Sequence, residues 1–167
     1  MSNLVLELRS GEVMIVNGAP IRFRTKTRIE LTAKARFLFG KQILPPDQVD
    51  SPARRIYFAL QTAYIGAEEE RAGGLDAARD LIAAFKAVTT SQLACAMLDR
   101  ALFAAETDDC YQALKLARRI ILHEDAVLGR APVPSRSDNP AMASQRVVDP
   151  SSPPRPSQSL SVHAGHE

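Results

Sequence analysis

Ile21-Arg22-Phe23-Arg24-Thr25-Lys26-Thr27-Arg28-Ile29-Glu30-Leu31 alternates apolar or threonine side chains with charged ones. Successive side chains of a β-strand point to opposite faces of a sheet, so this period of two predicts one strand with an apolar face and a cationic face. Lys34, Arg36 and Lys41 extend the basic row. The stretch from Ile21 to Lys41 therefore carries seven basic residues and one acidic residue.

Two interpretations of this basic row remain open. It is either a solvated strand face, as most charge alternation is, or a surface that binds an anionic backbone, for which nucleic acid is the best fit. Residues 1–60 contain ten Lys and Arg against five Asp and Glu, whereas residues 61–130 contain eight against eleven. This asymmetry favours a basic ligand-binding module joined to an acidic one.

Short strands surround the basic row. The alternating leucines of residues 4–8 predict a half-buried strand, and residues 13–16 form a second apolar run. Asn17-Gly18 closes that run, and this dipeptide tolerates the positive φ values of a type I′ hairpin turn. A further run over residues 35–44 precedes Pro45-Pro46, which ends the sheet because proline donates no ladder hydrogen bond. We expect residues 1–50 to form a small antiparallel β-sheet or open barrel.

Residues 51–130 predict a bundle of four amphipathic helices. The first helix begins at Ser51-Pro52, where a capping side chain precedes a ring that suits the first helical position, and it ends at Gly66. A polar break is expected at residues 68–74. The other three helices are expected at residues 75–88, 92–105 and 108–128, the last with Asp108 as its N-cap. The side chains expected to face the core recur at three-to-four spacing and are Ile56, Leu60, Ala63, Tyr64, Leu81, Ile82, Phe85, Val88, Leu93, Met97, Leu98, Ala101, Leu102, Tyr111, Leu114, Ala117, Ile121 and Leu128. The acidic outer faces would then serve solubility or a protein partner.

Arg54 and Arg55 stand in the first turn of the first helix. The helix dipole leaves positive partial charge there, so cations at this position indicate a nearby anion, either a carboxylate of the sheet or a phosphate. We expect one arginine to form an internal salt bridge and the other to contact a ligand. The candidate nucleic-acid contacts are thus Arg22, Arg24, Lys26, Arg28, Lys34, Arg36, Lys41, Arg54 and Arg55.

The last region, residues 131–167, contains seven prolines and eight serines and almost no large apolar side chains. Such a segment cannot offset the entropy of ordering its chain, so it is predicted to be disordered. No secretion signal and no run of 18 apolar residues is present, which predicts a cytoplasmic protein without membrane contact. The three regions together predict an α+β protein.

The sequence contains little that supports catalysis or metal binding. His123-Glu124-Asp125 is the place where three catalytic residue types meet, but consecutive helical side chains point about 100° apart and do not converge on one substrate. Cys95 and Cys110 are too few and too badly spaced for a zinc site or a redox pair, which predicts buried thiols. Phosphate-loop and nucleophile-elbow motifs are absent from the sequence. We expect no enzymatic activity and no cofactor.

Several segments spread over residues 3–129 form a recognisable series. They are Ser10-Gly11-Glu12, Val16-Asn17-Gly18, the run from Lys34 to Leu44, Ser51-Pro52-Ala53-Arg54-Arg55-Ile56-Tyr57-Phe58, Tyr111-Gln112-Ala113-Leu114-Lys115-Leu116-Ala117-Arg118-Arg119, Glu124-Asp125 and Leu128-Gly129. The series resembles the flagellum biosynthesis repressor family FlbT of alphaproteobacteria, and the string from Pro52 to Phe58 is its most specific part.

This resemblance implies a post-transcriptional regulator. Family members are understood to associate with the 5′ untranslated region of a flagellin mRNA and to promote its degradation. The implied partners are the flagellin mRNA leader, the regulator FlaF and a recruited nuclease. The nine candidate contacts would then bind RNA.

A fainter likeness links residues 4–44 to the small mRNA-binding regulator CsrA, through Gly11-Glu12 after a first strand of alternating leucines. The arginine that CsrA-like proteins place in a late strand falls on Phe39, and the arginine of their first strand falls on Leu8. The row from Arg22 to Arg28 is therefore the better candidate for RNA contact.

A second function stays open beside RNA binding. The helical bundle could be a protein-binding adaptor or chaperone for flagellin or a flagellar regulator, with the basic row incidental. RNA binding should weaken steeply with salt, whereas a complex held by buried apolar contacts should respond much less.

Overall fold

The computed structural model describes residues 4–130, which contain five strands, two short 3-10 turns and four helices. The strands are β1 (Leu4–Leu8), β2 (Val13–Val16), β3 (Ala19–Arg22), β4 (Thr27–Leu31) and β5 (Phe37–Phe39). The helices are α1 (Pro52–Ile65), α2 (Glu68–Val88), α3 (Gln92–Glu106) and α4 (Cys110–Val127). The predicted α+β architecture, with strands first and helices after, is confirmed. The tail predicted over residues 131–167 lies outside the described residues.

Two small antiparallel sheets build the β region. One sheet pairs β1 with β4, and the other has the strand order β3-β2-β5. The hairpin predicted between β2 and β3 is confirmed, because Asn17 and Gly18 have φ angles of 47° and 86°. Positive φ at both central residues is the mark of a type I′ turn, whose twist matches that of the flanking strands.

The prediction of one continuous strand across the basic row is wrong. β3 ends at Arg22, and β4 starts at Thr27 in the other sheet. β3 ends there because β2, its pairing partner, is only four residues long. Phe23 still bonds the turn between β1 and β2, since Gly11 N donates to Phe23 O at 2.7 Å and Phe23 N donates to Glu12 O at 2.9 Å. The chain then bends and pairs with β1, whose backbone groups need partners of their own.

The sheets and helices form three layers. Met14 of β2 packs with Leu6 and Leu8 of β1 in a small core between the two sheets. Leu38 of β5 is buried in the larger helical core, and Ile15 of β2 packs against that core beside it. The sheet β3-β2-β5 is therefore the middle layer, with the sheet β1-β4 on one face and the helices on the other.

α1 begins and ends as the sequence predicts. The Ser51 hydroxyl accepts a hydrogen bond from Arg54 N at 3.3 Å, and Pro52 is the first helical residue. The helix ends before Gly66. These are local signals, since a capping side chain and a proline ring act within one turn.

α2 is longer than predicted, because the expected polar break at residues 68–74 is helical. Three glutamates occupy its first turn, where the helix dipole favours negative charge. Gly74 lies inside the helix and lets α2 approach α1 closely. A Cβ at Gly74 would lie 2.7 Å from Ala63 N and 3.1 Å from Ala59 O. Gly74 therefore serves helix packing here rather than a loop.

Most side chains predicted to face the core are buried or half-buried, and three of those assignments are wrong. Val88, Leu93 and Leu128 are 82%, 62% and 56% exposed. Each stands at or near a helix end, so the apolar period of the sequence continues past the packed interface. The N-cap of α4 is Asp109 rather than the predicted Asp108. Within residues 4–130, no helix is long and apolar enough to cross a membrane.

Candidate nucleic-acid interface

Basic residues gather where the two sheets meet, around the β1–β2 turn and the β3–β4 connection. The Ser10 hydroxyl donates to Arg24 O at 2.7 Å and ties these segments together. Arg9 directly follows Leu8 and Lys26 directly precedes Thr27, and the pair Leu8–Thr27 ends the β1–β4 ladder. We name the five cations at this junction the basic cluster: Arg9, Arg22, Arg24, Lys26 and Arg28.

All five residues of the basic cluster are exposed, and none forms a salt bridge with another described residue. The nearest acid in the turn, Glu12, accepts a hydrogen bond from Arg9 N at 2.6 Å and so caps the backbone. Arg28 differs from the other four because it stands opposite an acidic residue, Glu7, in the β1–β4 ladder. Exposed guanidinium and ammonium groups without carboxylate partners keep their capacity for charge-assisted hydrogen bonds to phosphate.

Arg9 is the member of the basic cluster that the sequence pattern misses. It lies outside the alternating row and joins the cluster only because β1 pairs with β4. Its position directly before Ser10-Gly11 marks it as a turn-flanking cation, which is the one local signal available.

The remaining predicted contacts lie elsewhere. Arg36 lies beside the hairpin turn at the opposite end of β2 from the basic cluster, where its N donates to Asn17 Oδ1 at 3.1 Å. Lys34, two residues before it, is exposed. The Arg36 guanidinium forms a salt bridge of 2.7 Å with Asp108. Lys41 lies beside α4, and its carbonyl oxygen accepts a hydrogen bond from the helix at 2.8 Å. The structure therefore separates the predicted row into distinct places.

Arg54 is the arginine that forms the internal salt bridge. Its guanidinium donates to both carboxylate oxygens of Asp125 at 3.0 Å each, and an oxygen of Glu124 lies 4.0 Å away. This hydrogen bonding to Asp125 raises the pKa of Arg54 against the opposing effect of burial. The expected carboxylate of the sheet is wrong, because the anions come from α4 and from Asp50, which precedes α1 and lies 3.5 Å from Arg54 Nε. Arg55, next in the chain, is exposed.

The adjacent residues His123, Glu124 and Asp125 do not form a shared site. Glu124 Oε1 accepts a hydrogen bond from Ala53 N at 3.2 Å, so this carboxylate caps α1, and Asp125 holds Arg54. Across residues 4–130, no three His, Cys, Asp or Glu side chains are placed to hold a metal ion. Cys110 is buried and Cys95 is half-buried, and both are free thiols.

Comparison with known proteins agrees with the resemblance seen in the sequence. Residues 4–128 match the family described as "Flagellar protein FlbT". A relative from Caulobacter vibrioides, "Flagellum biosynthesis repressor protein FlbT", is 35% identical over 136 residues, which cover 75% of this chain and 89% of the relative. A relative from Brucella ovis, "Probable flagellum biosynthesis repressor protein FlbT", is 29% identical over 130 residues, which cover 77% of this chain and 84% of the relative.

No solved structure matches the chain. Both relatives are named as repressors of flagellum biosynthesis. The family match spans the β region and all four helices. The chain therefore belongs to the FlbT family of flagellar proteins.

Proposed function

We propose that this protein represses flagellum biosynthesis after transcription, by binding the 5′ untranslated region of a flagellin mRNA through the basic cluster. The observation that carries the proposal is the gathering of five exposed cations at the junction of two sheets, without salt bridges to other described residues. Such cations displace counterions from a nucleic-acid backbone and so supply affinity. The word "repressor" in the names of the relatives supports the direction of regulation.

The shape of the basic cluster favours a single-stranded target. Arg22 belongs to one sheet and Arg28 to the other, with Arg24 and Lys26 on the bend between them. A flexible single-stranded backbone can follow such a bend, and unpaired loops and ends are the usual targets of specific RNA recognition. An unpaired part of the leader is thus the proposed ligand.

In the proposed mechanism, a recruited nuclease then degrades the bound message. The regulator FlaF is a further proposed partner. The basic cluster consists of phosphate-binding side chains alone, which suits holding a message rather than cleaving it. A protein that binds near the start of a message can expose it to a nuclease supplied by the cell. The names of the relatives, which contain the word "repressor", support the repression itself.

A second candidate function is a protein-binding adaptor or chaperone for flagellin or a flagellar regulator. It is favoured by large apolar side chains that are exposed on the helices, among them Phe103 at 68% and Val127 at 72%. The two functions are compatible, because the basic cluster and these side chains lie on different layers.

Crosslinking in cells tests the proposed RNA binding. The full chain is crosslinked to RNA by ultraviolet light and purified, and the attached RNA is sequenced. We expect reads concentrated in flagellin leaders, and we expect the variant Arg24→Gln/Lys26→Gln to lose them. The matched control is Arg100→Gln/Arg119→Gln, which removes two exposed charges from α3 and α4 and should keep the reads. Equal reads from both variants, or no flagellin leader above background, would overturn the proposal.

A further inference from the structure

α4 has its acids inside and its bases outside. Its two carboxylates, Glu124 and Asp125, are buried. Lys115, Arg118 and Arg119 are exposed. The outer face of α4 thus presents three cations and no carboxylate. The prediction of acidic outer faces for the whole bundle is wrong for this helix.

The other outer helices differ in charge from α4. α2 and α3 present exposed acids, and two of their cations are engaged with them: Arg79 bonds Glu106 at 2.8 Å, and Lys86 bonds Asp99. Arg100 of α3 is exposed and forms no salt bridge with a described residue. None of the three cations on the outer face of α4 forms a salt bridge with a described residue. Their charge is therefore available to an outside partner.

Two of these cations are held in fixed positions. Arg118 Nη1 donates to Lys41 O at 2.8 Å, and Lys115 Nζ lies 4.7 Å from the centre of the Tyr111 ring. Ordering long side chains before binding reduces the entropy lost when a complex forms. This face is thus preorganised for an anionic partner.

The same face becomes apolar toward the C-terminal end of α4. Leu122 follows Arg118 and Arg119 at helical spacing and is 53% exposed, and Ala126, four residues beyond it, is also exposed. The stripe has cations over its first part and apolar side chains over its last part.

We infer that the outer face of α4 docks an acidic amphipathic helix of a protein partner. Acids of that helix would pair with the three cations, while its apolar side chains would cover Leu122 and Ala126, as in other complexes where anchors recur at i, i+3, i+4 and i+7. RNA fits this face less well, because its phosphates would use the cations and leave the apolar end uncovered. The inference concerns a site separate from the basic cluster and does not depend on RNA binding.

Photo-crosslinking from the apolar end of this face tests the inference. The full chain with Leu122→p-benzoylphenylalanine is irradiated in flagellated cells, and the crosslinked peptide is identified by mass spectrometry. We expect a segment of another protein that carries Asp or Glu at three-to-four spacing beside apolar residues. Adding Arg118→Glu/Arg119→Glu should reduce the adduct at least about tenfold. The control Arg100→Glu, on the exposed face of α3, should leave it unchanged.

The other outcomes overturn the inference. They are an adduct with RNA, with a second copy of this chain, with residues 131–167 of the same chain, or with a neutral or basic protein segment, and the lack of any adduct. Circular dichroism checks the fold of the charge-reversed chain, and Arg118→Gln/Arg119→Gln replaces it if it unfolds. RNA binding measured on the same variants should stay unchanged, so failure here is distinguishable from failure of the basic cluster.

Discussion

Arg54 and Arg55 are adjacent in the chain but have different environments. The Arg54 side chain is 15% exposed and bonds Asp125, whose side chain is 7% exposed, whereas Arg55 is exposed. Removing one partner of a buried ion pair leaves the other charge without compensation. Arg54→Ala should therefore lower the free energy of unfolding by about 3–5 kcal/mol, as measured by urea denaturation.

Arg55→Ala is the matched control for this change, because it removes the same side chain one position later. As an ordinary surface substitution it should alter the free energy of unfolding by no more than about 0.5 kcal/mol. If the two variants lose equal stability, the buried carboxylates of α4 do not depend on Arg54.

The two cysteines also differ in burial, since Cys110 is buried and Cys95 is half-buried. Burial raises the pKa of the Cys110 thiol, and the thiolate is the form that reacts with iodoacetamide. At pH 8 the native protein should thus be alkylated at half-buried Cys95 well before Cys110, and unfolding in urea should abolish the difference. Peptide mass spectrometry after timed alkylation measures both rates, and equal rates in the native protein would argue against the burial of Cys110.

The sign of the associated pH dependence follows from the same shift. The thiol ionises at lower pH in the unfolded chain than in the folded one. Its contribution to stability is therefore fully present below the ordinary thiol pKa of about 8.5 and is lost as the pH rises through the higher folded value. Burial raises the pKa of Tyr57 as well, which extends the loss of stability to more alkaline pH.

At the scale of elements, the crossing of α1 and α2 depends on one glycine of a pair. A Cβ at Gly74 would contact the α1 backbone, while a Cβ at Gly73 would meet nothing within 4 Å. Gly74→Ala should lower the free energy of unfolding by about 1–3 kcal/mol, because a crowded interface must move apart. Gly73→Ala should raise it by about 0.4–1 kcal/mol, because alanine restricts the unfolded chain. Thermal melting of the two variants measures both changes. Stabilisation by both substitutions would contradict the close approach of α2 to α1.

Elements whose ends depend on local chemistry could be predicted from the sequence. Asn17-Gly18 gave the hairpin and Ser51-Pro52 gave the start of α1, since turn and cap residues act within a few positions. The break after Arg22 could not be predicted, because it depends on β4 pairing with β1. Gly73-Gly74 looked like a loop, although packing on α1 makes it helical.

The candidate site shows the same division. Arg22, Arg24, Lys26 and Arg28 are exposed as the alternation predicts, and none of them forms a salt bridge with a described residue. Their arrangement on a bend, and the addition of Arg9, required the strand pairing. Arg54 needed a partner that lies far along the chain in α4, and a charge pattern alone does not identify such a partner.

At the scale of the whole molecule, the middle sheet and its linker join the β region to the helices. Gln61 of α1 is buried and bonds the linker at two points, accepting from Leu44 N at 2.8 Å and donating to Leu44 O at 3.0 Å. The Tyr57 hydroxyl donates to Gln42 O at 2.6 Å. The basic cluster lies at the sheet junction and the outer face of α4 lies on the helical layer, so one chain could hold a message and a protein partner at once.

The salt dependence of binding tests whether the basic cluster contacts RNA phosphates. Each phosphate neutralised in single-stranded nucleic acid contributes roughly −0.7 to the slope of log affinity against log salt, so five contacts predict a slope of about −3 to −4. Arg24→Gln/Lys26→Gln should weaken binding of every RNA and reduce the steepness by about 1.4. Its stability should stay within about 0.5 kcal/mol of the parent.

The measurement is fluorescence anisotropy of a labelled flagellin-leader RNA, titrated at several salt concentrations with the parent chain, this double variant and the control Arg100→Gln/Arg119→Gln. The control removes the same net charge from exposed helical positions and should keep the parent slope. A shallower slope confined to Arg24→Gln/Lys26→Gln is the predicted result. Unchanged affinity and slope in that variant would contradict RNA contact by the basic cluster and leave this cluster as a solvated surface.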